Sequence, residues 1–168
     1  MLIFIDTEFT DFRNPQLISI ALVSDCGEHE FYAELPYDLE RCSTFVIDTV
    51  LPLLGEQANA ACDATELNAR LRTWLAQFEG RGEVSVCYDF GGDWEFFCAA
   101  LSDEVPPWIV PRNIFKYLDK AKLEAFFADQ PHLALNFPHH ALHDARGNRH
   151  AFDHDKAKRD PMRFRKSR

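Results

Sequence analysis

Residues 2–9 read Leu-Ile-Phe-Ile-Asp-Thr-Glu-Phe, and the reading of this stretch decides the fold. Leu2–Ile5 is a continuous apolar run closed by Asp6. A run without alternation is the pattern of a central strand covered on both faces. Working outward, Gln16–Val23 reads as a second strand and Glu30–Leu35 as a third. The turn signal Asp25-Cys26-Gly27-Glu28 lies between them and predicts an antiparallel hairpin. Phe45–Leu54 has helical spacing cut short by Pro52. The clearest helix spans residues 63–79. Asp63 and Glu66 resemble a capping box, and Leu67, Leu71, Trp74, Leu75 and Phe78 form one apolar stripe. Gly80-Arg81-Gly82 ends it. Val84–Phe90 is a fourth strand, broken by Gly91-Gly92, after which Asp93 opens a helix to about Leu101. A short strand is expected at Trp108–Val110, a helix at Tyr117–Ala128, a loop at Gln130–Pro138 and a last helix from near His139 to about Phe152. A strand hairpin followed by alternating strands and helices predicts an α/β fold, a mixed β-sheet flanked by helices. Ligands of such sheets sit beyond the carboxyl ends of the central strands.

The 168 residues are 46% apolar and 27% charged, which fits one globular domain and excludes a disordered or collagen-like chain. No apolar run is long enough to cross a bilayer, so no membrane association is expected. Asp6 and Glu8 interrupt the first apolar stretch, which argues against a secretory signal. The five cysteines form no CxxC pair and are odd in number, which suits a reduced cytoplasmic setting and not a disulfide framework or zinc ribbon. Charge is uneven. Residues 155–168 hold seven of the 18 Lys/Arg and two of the 27 Asp/Glu, leaving 1–154 with 11 against 25, a net of −14. The domain is therefore expected at 1–154, with 155–168 a basic tail that frays into solvent. So acidic a body argues against a generic polyanion-binding surface, unless bound cations reverse the field locally or the basic tail does the attracting.

Asp6 and Glu8 are two apart, so period two puts both carboxylates on one face of the first strand. The same Asp-x-Glu spacing recurs at Asp38/Glu40 and Asp93/Glu95, but only the first pair closes a buried strand, where unpaired charge is expensive. A metal ion would neutralise both; the plain alternative is a strand end emerging into solvent. If the first and fourth strands are parallel neighbours, Asp93 arrives beside Asp6, although an Asp after two glycines also makes a good helix N-cap. Asp89 is the rival acid, lying inside the strand pattern. The run His139-His140-Ala141-Leu142-His143-Asp144-Ala145-Arg146 is the third piece. His139 and His143 have the four-residue spacing of helical zinc ligands, and His143-Asp144 is similar to the ligand pair of metal phosphohydrolases. Helix geometry favours His140, four before Asp144, as the histidine sharing its face.

Taken together, Asp6-Thr7-Glu8-Phe9, Asp93-Trp94 and His139-x4-Asp144-Ala145-Arg146 resemble the DEDDh 3'–5' exonucleases of the ribonuclease H-like superfamily. The resemblance spans about residues 2–152 in order and is strongest to a small bacterial, mycobacterial-type exoribonuclease branch. It implies a ribonuclease H-like sheet, with Asp6, Glu8, Asp93 and Asp144 holding two divalent cations, Mg2+ or Mn2+. It makes His139 the general base, with His140 as fallback. The implied substrate is single-stranded RNA or an RNA 3' overhang, with DNA as the other possibility, and a homodimer is the implied assembly. Phe9 is placed to stack on a terminal base or to pack in the core. Trp94, on the first turn of an amphipathic helix, reads as core. Arg146 would meet a phosphate or form a surface ion pair. Two other readings stand beside the nuclease: a non-catalytic RNA-binding scaffold on the same fold, and a nucleotide phosphohydrolase using the histidine cluster.

Overall fold

The computed structural model describes residues 1–129 and 139–160; the loop expected at 130–138 and the end of the tail, 161–168, lie outside the described residues. Five strands form one sheet: β1 (Leu2–Phe9), β2 (Leu17–Ser24), β3 (Glu30–Glu34), β4 (Val84–Tyr88) and β5 (Ile109–Asn113). Their spatial order is β3-β2-β1-β4-β5. β1–β2 and β2–β3 pair antiparallel, while β1–β4 and β4–β5 pair parallel. The helices are α1 (Ala64–Ala76), α2 (Gly91–Ala100), α3 (Lys120–Ala128), α4 (Ala141–Ala151) and α5 (His154–Arg159). The chain is thus an α/β protein with a mixed sheet and helices around it, an arrangement compatible with a ribonuclease H-like fold. No helix among the described residues is long and apolar enough to cross a membrane.

The two faces of β1 explain why it is central. Ile3 and Ile5 point into the larger core, where Leu67, Leu71 and Leu75 of α1 and Phe97 of α2 meet the sheet. Phe4 points the other way and packs edge-on against Phe152, their centroids 5.5 Å apart. On that second face α4 lays Ala141 and Ala145 on Ala21 and Val23 of β2, small residues that let helix and sheet approach closely. At the start of α1, Asp63 Oδ1 accepts the Glu66 N–H at 2.8 Å, as the sequence predicts. The Glu66 carboxylate completes no box and lies beside Arg70 at 3.7 Å.

Several boundaries differ from the sequence reading, each for a local reason. β1 does not stop at Ile5: its pairing with β2 continues through Asp6↔Ala21 and Glu8↔Ser19, with an irregularity between Glu8 and Phe9. β4 ends at Tyr88, so Asp89 leaves the strand. Gly91-Gly92 do not break the chain ahead of a helix; they are the first turn of α2. The Phe90 ring folds over that turn, where a Cβ on Gly92 would collide with it. Asp93 is accordingly not the N-cap but the third helical residue, its Oδ2 accepting the Phe90 N–H at 3.3 Å. Over Phe45–Leu54 the single short helix is replaced by a π turn (Val46–Val50) and a 3-10 turn (Leu51–Leu53), with Val46 and Val50 on Ile18. Tyr117 closes a 3-10 turn, and α3 starts only where Asp119 caps it. The boundary at 155 needs correction, because residues 154–159 form α5, which buries Ala157 against the Phe4–Phe152 cluster. The positive charge around Ala157 disguised that anchor.

Candidate functional site

β1 keeps its β4 partner only as far as Phe4↔Cys87, while β2 follows it to Phe9. Beyond Phe4 a crevice opens between the two parallel strands at their carboxyl ends, where ligands of open α/β sheets bind. The Thr7 N–H, which no strand receives there, donates to Asp93 Oδ1 at 3.1 Å, and the Thr7 hydroxyl donates to the same oxygen at 2.7 Å. Asp93, only 2% exposed, is thereby held at the start of α2 beside Asp6. On the other side of the crevice α4 supplies Asp144. Its Oδ2 accepts the His139 N–H at 2.6 Å, and its Oδ1 is buried with no partner.

A cavity of about 440 Å³ is lined by Asp6, Glu8, Asp93, His139 and Asp144, together with Asp89. Ligand-capable atoms of Asp6, Asp89 and Asp93 lie within 4.8 Å of one another, and so do those of Glu8, His139 and Asp144. The structure therefore brings together all five residues proposed for catalysis and adds Asp89, the acid set aside in the sequence reading. Asp89 escaped because it seemed to lie within the fourth strand; its position four before Asp93, at the carboxyl end of a central strand, was the available signal.

No Lys or Arg lines this cavity among the described residues. The electrostatic result is uniform. Burial, then the charges of Asp144, Asp93, Glu8 and Asp89, hold the Asp6 carboxyl well above the usual carboxylate range. Burial, with Asp144 and Asp93, pushes Glu8 up to about 9. Burial pushes Asp93 and Asp144 up to about 7, against the hydrogen bonds from Thr7 and from the His139 backbone. Asp89 is raised by burial too, with the Asn148 hydrogen bond opposing. Oxygen donors this crowded, one of them buried and unpartnered, suit hard divalent cations, which favour carboxylates over thiolates or imidazole pairs.

The adjacent histidines part company. His139 sits outside α4 with φ of 96°. This left-handed conformation is costly for a residue with a Cβ. It turns the ring into the cavity, edge-on to Phe45 with centroids 4.9 Å apart. Burial holds its pKa below the ordinary value, so the imidazole is neutral near pH 7. His140 is nearly buried and stacks between Tyr32 (4.8 Å) and His143 (4.4 Å). Neither His140 nor His143 lines the cavity, so the zinc-type pairing of His139 with His143 is not assembled.

Phe9 belongs to an aromatic rim. It lies 5.0 Å from Phe12, which is 79% exposed, and 5.9 Å from Phe90, which is 47% exposed. Its other contact, Phe96 at 5.5 Å, joins the rim to α2. Trp94 stacks on Tyr88 and Phe97 against the larger core, as expected. Arg146 forms a two-pronged pair with Glu30, at 2.7 and 2.6 Å, and does not line the cavity. No protein-family model matches this chain, and no curated protein matches it.

Proposed function

We propose that the chain is a metal-dependent 3'–5' exoribonuclease of the DEDDh kind. One observation carries this reading: Asp6, Glu8, Asp93, Asp144 and His139, from separate parts of the sequence, share one cavity that no Lys or Arg lines among the described residues. Asp6, Glu8, Asp93 and Asp144 would hold two divalent ions, Mg2+ or Mn2+. When bound, such ions lower the pKa of water and stabilise the charge developing on the attacking and leaving oxygens of a phosphodiester.

The chain's own residues have distinct tasks. His139, neutral and turned into the cavity, accepts a proton from the attacking water on a ring nitrogen. Its backbone N–H fixes one oxygen of Asp144 and leaves the other for an ion. Thr7 fixes Asp93 in the same manner. The Phe9–Phe12–Phe90 rim offers exposed ring faces and edges on which an unpaired base can stack without regard to sequence. RNA as the preferred polymer, DNA as a second substrate and a homodimeric state follow from the family resemblance and belong to the same proposal. The packing of His140 and His143 outside the cavity weighs against a phosphohydrolase built on the histidine cluster.

The test is 5'-labelled single-stranded RNA incubated with the protein and Mg2+ or Mn2+, beside matched DNA and an EDTA control. The reading predicts a ladder that shortens from the 3' end and vanishes with EDTA. Cleavage of DNA alone would overturn the substrate, and intact RNA and DNA in every lane would overturn the activity.

A further inference from the structure

The proposed four-acid site leaves two cavity carboxylates without a task, Asp11 and Asp89, and of these Asp89 is the one that groups with Asp6 and Asp93. Asp89 follows β4 directly and is pinned from two sides. Its Oδ1 accepts the Asn148 Nδ2–H at 3.1 Å, and its backbone carbonyl accepts the Asn113 Nδ2–H at 3.4 Å. Asn148 is itself 4% exposed on α4, so its amide is held by the packing of that helix against the sheet. Backbone N–H groups of Asp89 and Phe90 also reach this carboxylate, which lies within 4.8 Å of the ligand-capable atoms of Asp6 and Asp93. A carboxylate carried on a buried amide, turned toward two other carboxylates and given no Lys or Arg among the described residues, is arranged for a cation from solvent. The buried, unpartnered Asp144 Oδ1 across the same cavity points independently to such a ligand.

We infer that Asp89 is a further carboxylate ligand of the ion held by Asp6 and Asp93, and that Asn148 is its positioning residue. The inference rests on the metal-dependent reading above and changes its charge balance. Two divalent ions offset four carboxylates, so a fifth leaves the loaded site with a net negative charge before any phosphate arrives. The ion beside Asp89 is therefore bound more tightly than four acids alone would bind it. The substrate phosphate gains correspondingly less from the ions, and the aromatic rim carries a larger share of RNA binding.

The Asp89→Asn substitution separates ligand from scaffold. An asparagine keeps the oxygen that accepts from Asn148 and loses only the charge, so a purely structural Asp89 would tolerate it. The probe is Mn2+ alone, titrated into the full chain at pH 7.5, with heat and the electron spin resonance of free Mn2+ as readouts. Wild type is expected to take up two ions. Asp89→Asn should bind one of them at least about tenfold more weakly, and Asn148→Ala should weaken the same ion by about 10-fold or more. Circular dichroism on each variant confirms the fold. Two Mn2+ sites with unchanged constants in Asp89→Asn would overturn the role of Asp89 and leave the nuclease reading standing. Absence of Mn2+ uptake by wild type would overturn both.

Discussion

Helix α4 treats two acidic regions in opposite ways. At Arg146 it answers Glu30 with a two-pronged ion pair, and that hydrogen-bonded partner holds the Glu30 carboxyl below its usual value. Two residues earlier it carries Asp144 into a cavity with five other carboxylates, and there it offers no cation at all. Glu30 is partly exposed and could have relied on water; the cavity acids are mostly buried and cannot. The protein thus pairs the carboxylate that needs pairing least. Among the described residues nothing supplies the missing positive charge, which a cation from solution would provide, because unpaired buried charge is tolerated only when something neutralises it.

The largest effect that sharpens the contrast is loss of a cavity acid. Asp144→Asn removes the charge whose free oxygen has no protein partner. RNA hydrolysis should fall roughly 10³-fold, the equivalent of several kcal/mol of transition-state stabilisation. Single-turnover rates on 5'-labelled RNA measure it; a loss of less than tenfold would break the contrast.

Next come the two histidines. His139→Asn should lower the hydrolysis rate by about 10²-fold or more while leaving Mn2+-dependent RNA binding in place, as expected for loss of a general base. His140→Ala should instead cost stability, about 1–3 kcal/mol through its lost stacking on Tyr32 and His143, with the rate per folded molecule retained. Denaturant melts and rate measurements on both variants decide this; exchanged phenotypes would reassign the base to His140. The wild-type rate should decline toward acid pH with a midpoint below His139's ordinary value of 6.5, since burial disfavours its protonated form and that form cannot accept a proton.

Stability against pH gives a smaller effect of definite sign. Glu8, Asp93 and Asp144 have folded pKa values raised to about 9, 7 and 7. A raised carboxyl binds its proton more tightly in the folded state. Its stabilisation is complete below the unfolded value, near about 4, and is lost as pH rises through the folded value. Metal-free protein should therefore melt at progressively lower temperature from about pH 4 to about pH 9. Mn2+ should restore the loss at pH 8 and have little effect at pH 5. A melting temperature that rises with pH over this interval would contradict the account. The smallest effect belongs to the paired region. Glu30→Gln should cost less than about 1 kcal/mol, less still in high salt, and leave RNA hydrolysis unchanged.

Much of this architecture could be read from the sequence. The unbroken Leu2–Ile5 run, the hairpin and the α1 stripe follow periodicities that packing alone enforces, and they lie where expected. The site was legible where a residue sits on such an element, as Asp6 and Glu8 do. Residues just beyond an element were harder. His139 precedes α4, so helical spacing does not govern it and favours His140, which does not line the cavity. Asp89 follows β4, whose end depends on pairing with β5 and not on β4's own composition. Gly91-Gly92 look like a break because the Phe90 ring that lies over Gly92 is visible only in three dimensions. α5 is announced by charge and held by the single buried methyl of Ala157, a signal that composition hides.

The central claim is that the cavity acids await cations from solution, and the most direct measurement is calorimetric titration of Mn2+ into wild-type protein at pH 7 in two buffers of different ionisation enthalpy. The account predicts uptake of two ions with release of protons, because carboxyls held near or above neutrality must give up their protons to become ligands. Absence of Mn2+ uptake, or uptake without proton release, would contradict it.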